Sequence, residues 1–275
     1  MLGLLLLQVL ASCLWLGHSE VVNSFDSCPQ FFYDGIPPDG ALNPNNPARI
    51  CQRFNNSYHY ATLYDRVRRI PVYSAYKYEP GDDKKPPKRW MVEPQLIDRN
   101  SLPDMKYDWV LIEEHIFTLD QIKESQAIPD DYKELKDLDR GHLCPSGHQF
   151  SKESMMATFT LTNAVPQDKN LNIGQWNIYE YRTMRSMTKG CKTTYVITGA
   201  VHGNTYISDN RVNRPSHIWS AACCLADEEP PKAWGAIAEN DKNKVDVVSL
   251  EELEKRLTDH YKGKVTLFKN ACSQK

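Results

Sequence analysis

Between Asp139 and Glu180 the chain carries a histidine, two asparagines and a carboxylate at spacings that two strands and a helix would bring to one place. Asp139-Arg140-Gly141-His142 opens the stretch, and Asn163 follows in the strand-like run MMATFTLTNAV. Pro166 and the polar residues after it should end that run. In IGQWNIYEYRTMRSM, residues 173–187, the positions Ile173, Trp176, Ile178, Tyr179 and Met184 fall at mixed three- and four-residue spacings, which predicts a helix. Asn172 stands just before it and Glu180 lies eight residues on, a little over two turns, so both can share a face.

This set suits phosphodiester hydrolysis. A neutral imidazole can take a proton from water near neutral pH. A hard dication held by oxygens can neutralise charge on phosphate and on the leaving oxygen, and Mg²⁺ needs few protein ligands because it keeps several waters. An arginine fork can hold a phosphate by two bonds. The whole chain does not grip nucleic acid by bulk charge, since its formal net charge is −2. Any such activity belongs to a local site.

Met1 to Leu16 is apolar and uncharged but shorter than the ~20 residues of a bilayer span. With Gly17 and Ser19 after it, residues 1–19 read as a secretory signal peptide cleaved before Glu20. No membrane span is expected in the mature chain, and the expected destination is extracellular. Cys13 leaves with the leader. The seven remaining cysteines should largely pair in an oxidising compartment, and an odd number leaves at least one free or intermolecular. Cys144 is expected in a disulfide. Asn55-Asn56-Ser57 is an N-glycosylation sequon.

Elsewhere, residues 28–58 read as loops, and residues 59–79 as two strands with Pro71 opening the second. Residues 98–137 give no clear pattern. Strands are expected over 193–200, 216–225 and 233–238, with a last short one over 265–268. A capping box, Ser249 to Glu252, should open a helix to about Tyr261, stopped by Gly263. The expected fold is a single mixed α+β domain with a mainly antiparallel sheet and flanking helices, residues 20–275.

The DRGH motif, T-N-A-V-P-Q at 162–167 and N-x₃-W-x₃-E at 172–180 resemble the DNA/RNA non-specific endonucleases, and the N163-to-E180 spacing matches that family's pattern without a gap. The resemblance covers roughly residues 50–270. The run C-x-x-F-F-Y-x-G-x-P-P-x-G at 28–40 looks like a vertebrate branch of the family. The resemblance implies a ββα-metal (His-Me finger) nuclease fold and DNA and RNA as substrates, cleaved to 5′-phosphate and 3′-hydroxyl ends. It implies that His142 is the general base and Asn172 the direct ligand of Mg²⁺, with Mn²⁺ as an alternative ion. Glu180 and Asp139 would hold the metal's waters, Asn163 would orient the histidine's surroundings, and Arg140 would contact phosphate or support the site. An upstream basic residue would stabilise the transition state. K-R-W-x-x-E-P points to Arg89, whereas alignment on Pro94 points to Lys88.

Blander readings stand beside these. Trp176 is expected to pack the helix, and His148 to be a surface histidine. Arg66, Arg68 and Arg69 are expected on a solvated strand edge, and Lys84–Arg89 either in a solvated loop or against the substrate backbone. His115, His202, His217 and His260 lack metal-ligand spacing. A nuclease fold without activity, serving as a scaffold, is the alternative function. A zinc module on His142, Cys144 and His148 is weaker, because it lacks paired ligand spacings on both sides.

Overall fold

The computed structural model describes residues 20–38, 40–81, 86, 88–227, 229–269 and 272. The leader with its expected cleavage site, Cys13, and Lys84 and Lys85 lie outside the described residues.

Eight strands make one sheet: β1 (Val21–Val22), β2 (Pro47–Phe54), β3 (Ser57–Asp65), β4 (Ile70–Lys77), β7 (Thr193–Val201), β10 (His217–Leu225), β11 (Lys232–Glu239) and β12 (Asp246–Val248), in that spatial order. Every neighbouring pair is antiparallel. Two short pairs stand apart, β5 (Leu138–His142) with β6 (Ala164–Asp168), and β8 (Thr205–Ile207) with β9 (Val212–Arg214). The sheet is buried on both faces, which is why β10 reads as the near-continuous apolar run HIWSAACCL. Ile218, Ala222 and Cys224 join the core on the side of the helices around Trp176. Trp219, Ala221 and Cys223 join the core on the other side, with Leu253 and Leu257 of the C-terminal helix Leu250–Tyr261.

That alternation explains the adjacent cysteines, whose side chains leave opposite faces of β10. Cys224 bonds Cys191 on one side and Cys223 bonds Cys272 on the other, while Cys28–Cys51 fastens the N-terminal loops to β2. Chain-entropy arguments put each bridge at about 3–4 kcal/mol. The seventh cysteine, Cys144, is free and fully buried rather than disulfide-bonded.

Several local expectations change. Residues 47–54 form a strand, not a loop. The strand turns back through Asn55 and Asn56, both at positive φ (51° and 62°), the two-residue hairpin geometry asparagine tolerates. The run 155–165 is not one strand. Ser151 caps a short helix, α4 (Lys152–Ala157), which follows α1 (Pro94–Ile97) and the two helices of the stretch without a clear pattern, α2 (Asp108–Glu113) and α3 (Leu119–Ser125). The strand begins at Ala164 and continues through Pro166, which is tolerated because β6 has a partner on one side only.

Residues 265–268 form no strand. They plug the core, and helix side chains take their backbone N–H groups: Leu267 N donates to Glu254 Oε1 (2.7 Å) and Val265 N to Thr258 Oγ1 (3.0 Å). The arginines after β3 are staples rather than a solvated edge. Arg68 pairs with Asp65 at 2.8 Å, and Arg69 donates to the Lys123 and Arg211 carbonyls.

Candidate active site

Strands β5 and β6 pair in a register that sets His142 opposite Ala164 and Asp139 opposite Gln167. Gly141 is required by that pairing, because a Cβ there would overlap the Gln167 side chain packed across it. Asn163, one residue before β6, is fully buried and uses its whole amide. Oδ1 accepts from Cys144 N and Ser74 Oγ (2.9 Å each), and Nδ2 donates to the carbonyls of Cys144 (3.0 Å) and Thr158 (2.9 Å). Asn163 therefore locks the chain two residues beyond His142 to the main sheet.

The sheet offers a row of hydroxyls for this purpose. Thr62, Ser74, Thr198 and Ser220 lie in register across β3, β4, β7 and β10. Thr62 Oγ1 and Ser74 Oγ are 3.0 Å apart, and Thr198 Oγ1 donates to Ser220 Oγ at 3.2 Å. Single small hydroxyl residues in apolar strands carry no sequence signal of such a role.

Helix α5 (Lys169–Ile173) starts at Asp168, whose side chain caps Leu171 N at 3.0 Å. It breaks at Gly174 and resumes as α6 (Gln175–Ile178), passes through a π turn (Tyr179–Thr183) and ends as α7 (Met184–Met187). The expected helix thus runs from Gln175 to Met187, Asn172 belongs to a separate short helix before Gly174 instead of sharing its face, and Glu180 sits on the π turn. Trp176 is buried beneath it. Asn172, Glu180, Asp139, Arg140, His142 and Lys88 all line one cleft of about 600 Å³.

Within the cleft, Asn172 Nδ2 donates to Asp139 Oδ2 at 3.2 Å, which turns the amide oxygen away from that carboxylate. His142 is half-buried between Trp90 and Phe159, with ring centroids at 4.8 and 4.7 Å. Arg140 lies over the Trp90 and Tyr132 rings at 5.7 and 5.5 Å and donates to the Pro129 carbonyl at 3.1 Å. Burial pulls its pKa down, although the guanidinium stays charged. Of the two upstream basic candidates, Lys88 lines the cleft; Arg89 is exposed and is not among the lining residues.

His148 is buried rather than on the surface. Its Nε2 lies 2.9 Å from the Glu180 carbonyl and so carries the proton, while Nδ1 accepts from Tyr76 OH at 3.0 Å. The ring thereby ties the π turn to β4. The zinc reading fails on the same facts, because both His148 nitrogens are used and Cys144 is sealed in the core with its thiol pKa pushed up by burial.

Burial also holds the His148 pKa down at about 4. Between that value and the ~6.5 of an unfolded histidine, the unfolded chain binds the proton and the folded chain does not. This histidine's contribution is therefore present above pH ~6.5 and lost as pH falls toward 4, amounting to about 3 kcal/mol. Urea unfolding of the wild type beside His148→Gln should show that loss in the wild type and a flatter profile in the variant. Parallel profiles would contradict it.

No group of three or more His, Cys, Asp or Glu among the described residues could hold a metal by itself. The cleft's donors are instead one amide oxygen oriented by a carboxylate, with a second carboxylate nearby. Such an all-oxygen set fits a hard, largely hydrated dication and not a soft one.

The comparisons with known proteins follow the same line. The family model for DNA/RNA non-specific endonuclease matches residues 38–271. The human endonuclease domain-containing 1 protein is 32% identical over 257 residues, 91% of this chain and 48% of that protein. Human mitochondrial endonuclease G is 35% identical over 95 residues, 30% of this chain and 32% of that protein. The chain spans about half the length of the endonuclease domain-containing 1 proteins it matches. A solved EndoG in complex with EndoGI superposes with a TM-score of 0.52 at 19% identity, over 77% of this chain and 84% of that one, which shows a common fold. The chain belongs to the DNA/RNA non-specific endonuclease family.

Proposed function

We propose that this chain is a secreted, Mg²⁺-dependent endonuclease that hydrolyses phosphodiester bonds of DNA and RNA with little sequence preference. The observation that carries the reading is the convergence of His142, Asn172 and Glu180 in one cleft with two cations, Lys88 and Arg140. His142 takes the proton of the attacking water at a ring nitrogen. Lys88 and Arg140 bind phosphate oxygens, with Lys88 as the upstream basic residue that stabilises the transition state. Contacts of this kind are made to the backbone and not to the bases, so they carry no sequence information. Asn172 would be the direct ligand of the ion, and Asp139 and Glu180 would hold its water shell. When bound, a dication there neutralises charge on the scissile phosphate and the leaving oxygen.

The test is a Mg²⁺ titration of plasmid cleavage. Asp139→Asn, which changes the group orienting the ligand, should raise the Mg²⁺ needed for half-maximal rate about 10–100-fold. Asn172→Ala should raise it at least as much. An unchanged titration for Asn172→Ala would remove the metal assignment.

A further inference from the structure

A second cavity, of about 520 Å³, adjoins the catalytic cleft and shares Ser146, Glu180 and Tyr181 with it. Its lining includes Arg182, Arg185 and Lys189, all exposed. Among the described residues none of these three makes a salt bridge to a carboxylate.

The π turn explains why they face this way. In an unbroken α-helix Met184, four residues after Glu180, would share its face. The wider turn at Tyr179–Thr183 inserts one residue, and Met184 is instead fully buried while Arg185 lines the cavity beside Glu180. Spacings of three and four then keep Arg182, Arg185 and Lys189 on one side. Tyr181 stands at the junction of the two cavities. Its ring lies against Gly147, where a Cβ would come within 2.6 Å of Tyr181 Cε1, so glycine is needed for the ring to lie there.

We propose that this second cavity is a subsite for the nucleic-acid strand leaving the catalytic cleft, with Arg182, Arg185 and Lys189 on successive phosphates and Tyr181 as a stacking surface at its mouth. The inference rests on the nuclease reading of the adjoining cleft. From Glu180 to the helix end at Met187 the chain rises about 10 Å, the length of about three nucleotides at 3.4 Å each, and Lys189 follows in the turn after it. Guanidinium groups beside an aromatic ring are the elements by which proteins hold a strand without reading its bases. The three cations also give a chain of net charge −2 a local binding surface continuous with its site.

The experiment measures binding of a fluorescein-labelled 20-nucleotide single strand in EDTA, as a function of salt, by anisotropy. The variant R182A/R185A/K189A is compared with K242A/K244A/K255A, which removes the same charge from exposed lysines elsewhere. The subsite predicts that the first variant loses about 2 from the slope of log K against log salt, from three contacts at ~0.7 each, and weakens binding at least tenfold. The second variant should keep the wild-type slope. Equal losses in both variants, or an unchanged slope in the first, would overturn the proposal. So would polyglutamate binding as tightly and with the same dependence on the three residues, which would assign the cavity to an acidic peptide.

Cleavage separates the two readings. Wild-type cleavage with no effect of R182A/R185A/K189A on long strands would sink the subsite and leave the nuclease. A groove-dependent salt slope without any wild-type cleavage would support the subsite and sink the nuclease.

Discussion

His142→Ala should reduce plasmid cleavage by about 10²–10⁴-fold, the usual contribution of a positioned general base, while the protein unfolds at an unchanged urea concentration. The expectation follows from how the ring is held. Trp90 and Phe159 fix its plane from two sides, and the strand carrying it is locked by Asn163 and not by the imidazole itself. The loss of packing against two aromatic rings is a small structural cost. Added imidazole should restore part of the rate to the alanine variant. A variant that cleaves at the wild-type rate would show that the proton goes elsewhere.

Asn163→Ala should act in the opposite sense, on the fold before the chemistry. Its removal leaves Cys144 N, the Cys144 and Thr158 carbonyls and Ser74 Oγ without the amide that satisfies them. Each stranded buried group costs ~1–3 kcal/mol, so a loss of at least about 4 kcal/mol is expected in urea unfolding. That is a large part of the ~5–15 kcal/mol typical of a domain. Asn163→Asp keeps the acceptor bonds and should recover part of the loss. A cost below ~1 kcal/mol for the alanine variant would mean that the β5–β6 pair is held by something else.

The long sheet strands of the C-terminal half and the DRGH–Asn163–Asn172–Glu180 stretch were readable because their signals are local. β7, β10 and β11 are long apolar runs, and Ser249 caps the C-terminal helix as expected by accepting from Glu252 N, although the Glu252 carboxylate accepts from Arg256 instead of closing the box and the left-handed residue that ends the helix is Lys262 and not Gly263. What sequence could not show depends on distant partners. β2 is hidden by its Pro and Asn flanks, and its place is secured by pairing with β3 and by Cys51. The helix Lys152–Ala157 competes with a β-prone composition and wins through its serine cap. His148 looks like any loop histidine until Tyr76 and the Glu180 carbonyl meet its two nitrogens. Arg89 and Lys88 are adjacent in sequence, and the choice between them is a matter of which way a loop faces.

The most direct test of the whole account is digestion of plasmid DNA and of total RNA by the purified, oxidised chain, with Mg²⁺ and with EDTA. The account predicts cleavage of both with Mg²⁺, none with EDTA, and fragment ends with 5′-phosphate and 3′-hydroxyl groups. Intact DNA and RNA after incubation of the folded protein with Mg²⁺ or Mn²⁺, across salt and pH, would contradict it and leave a nuclease fold that serves as a scaffold.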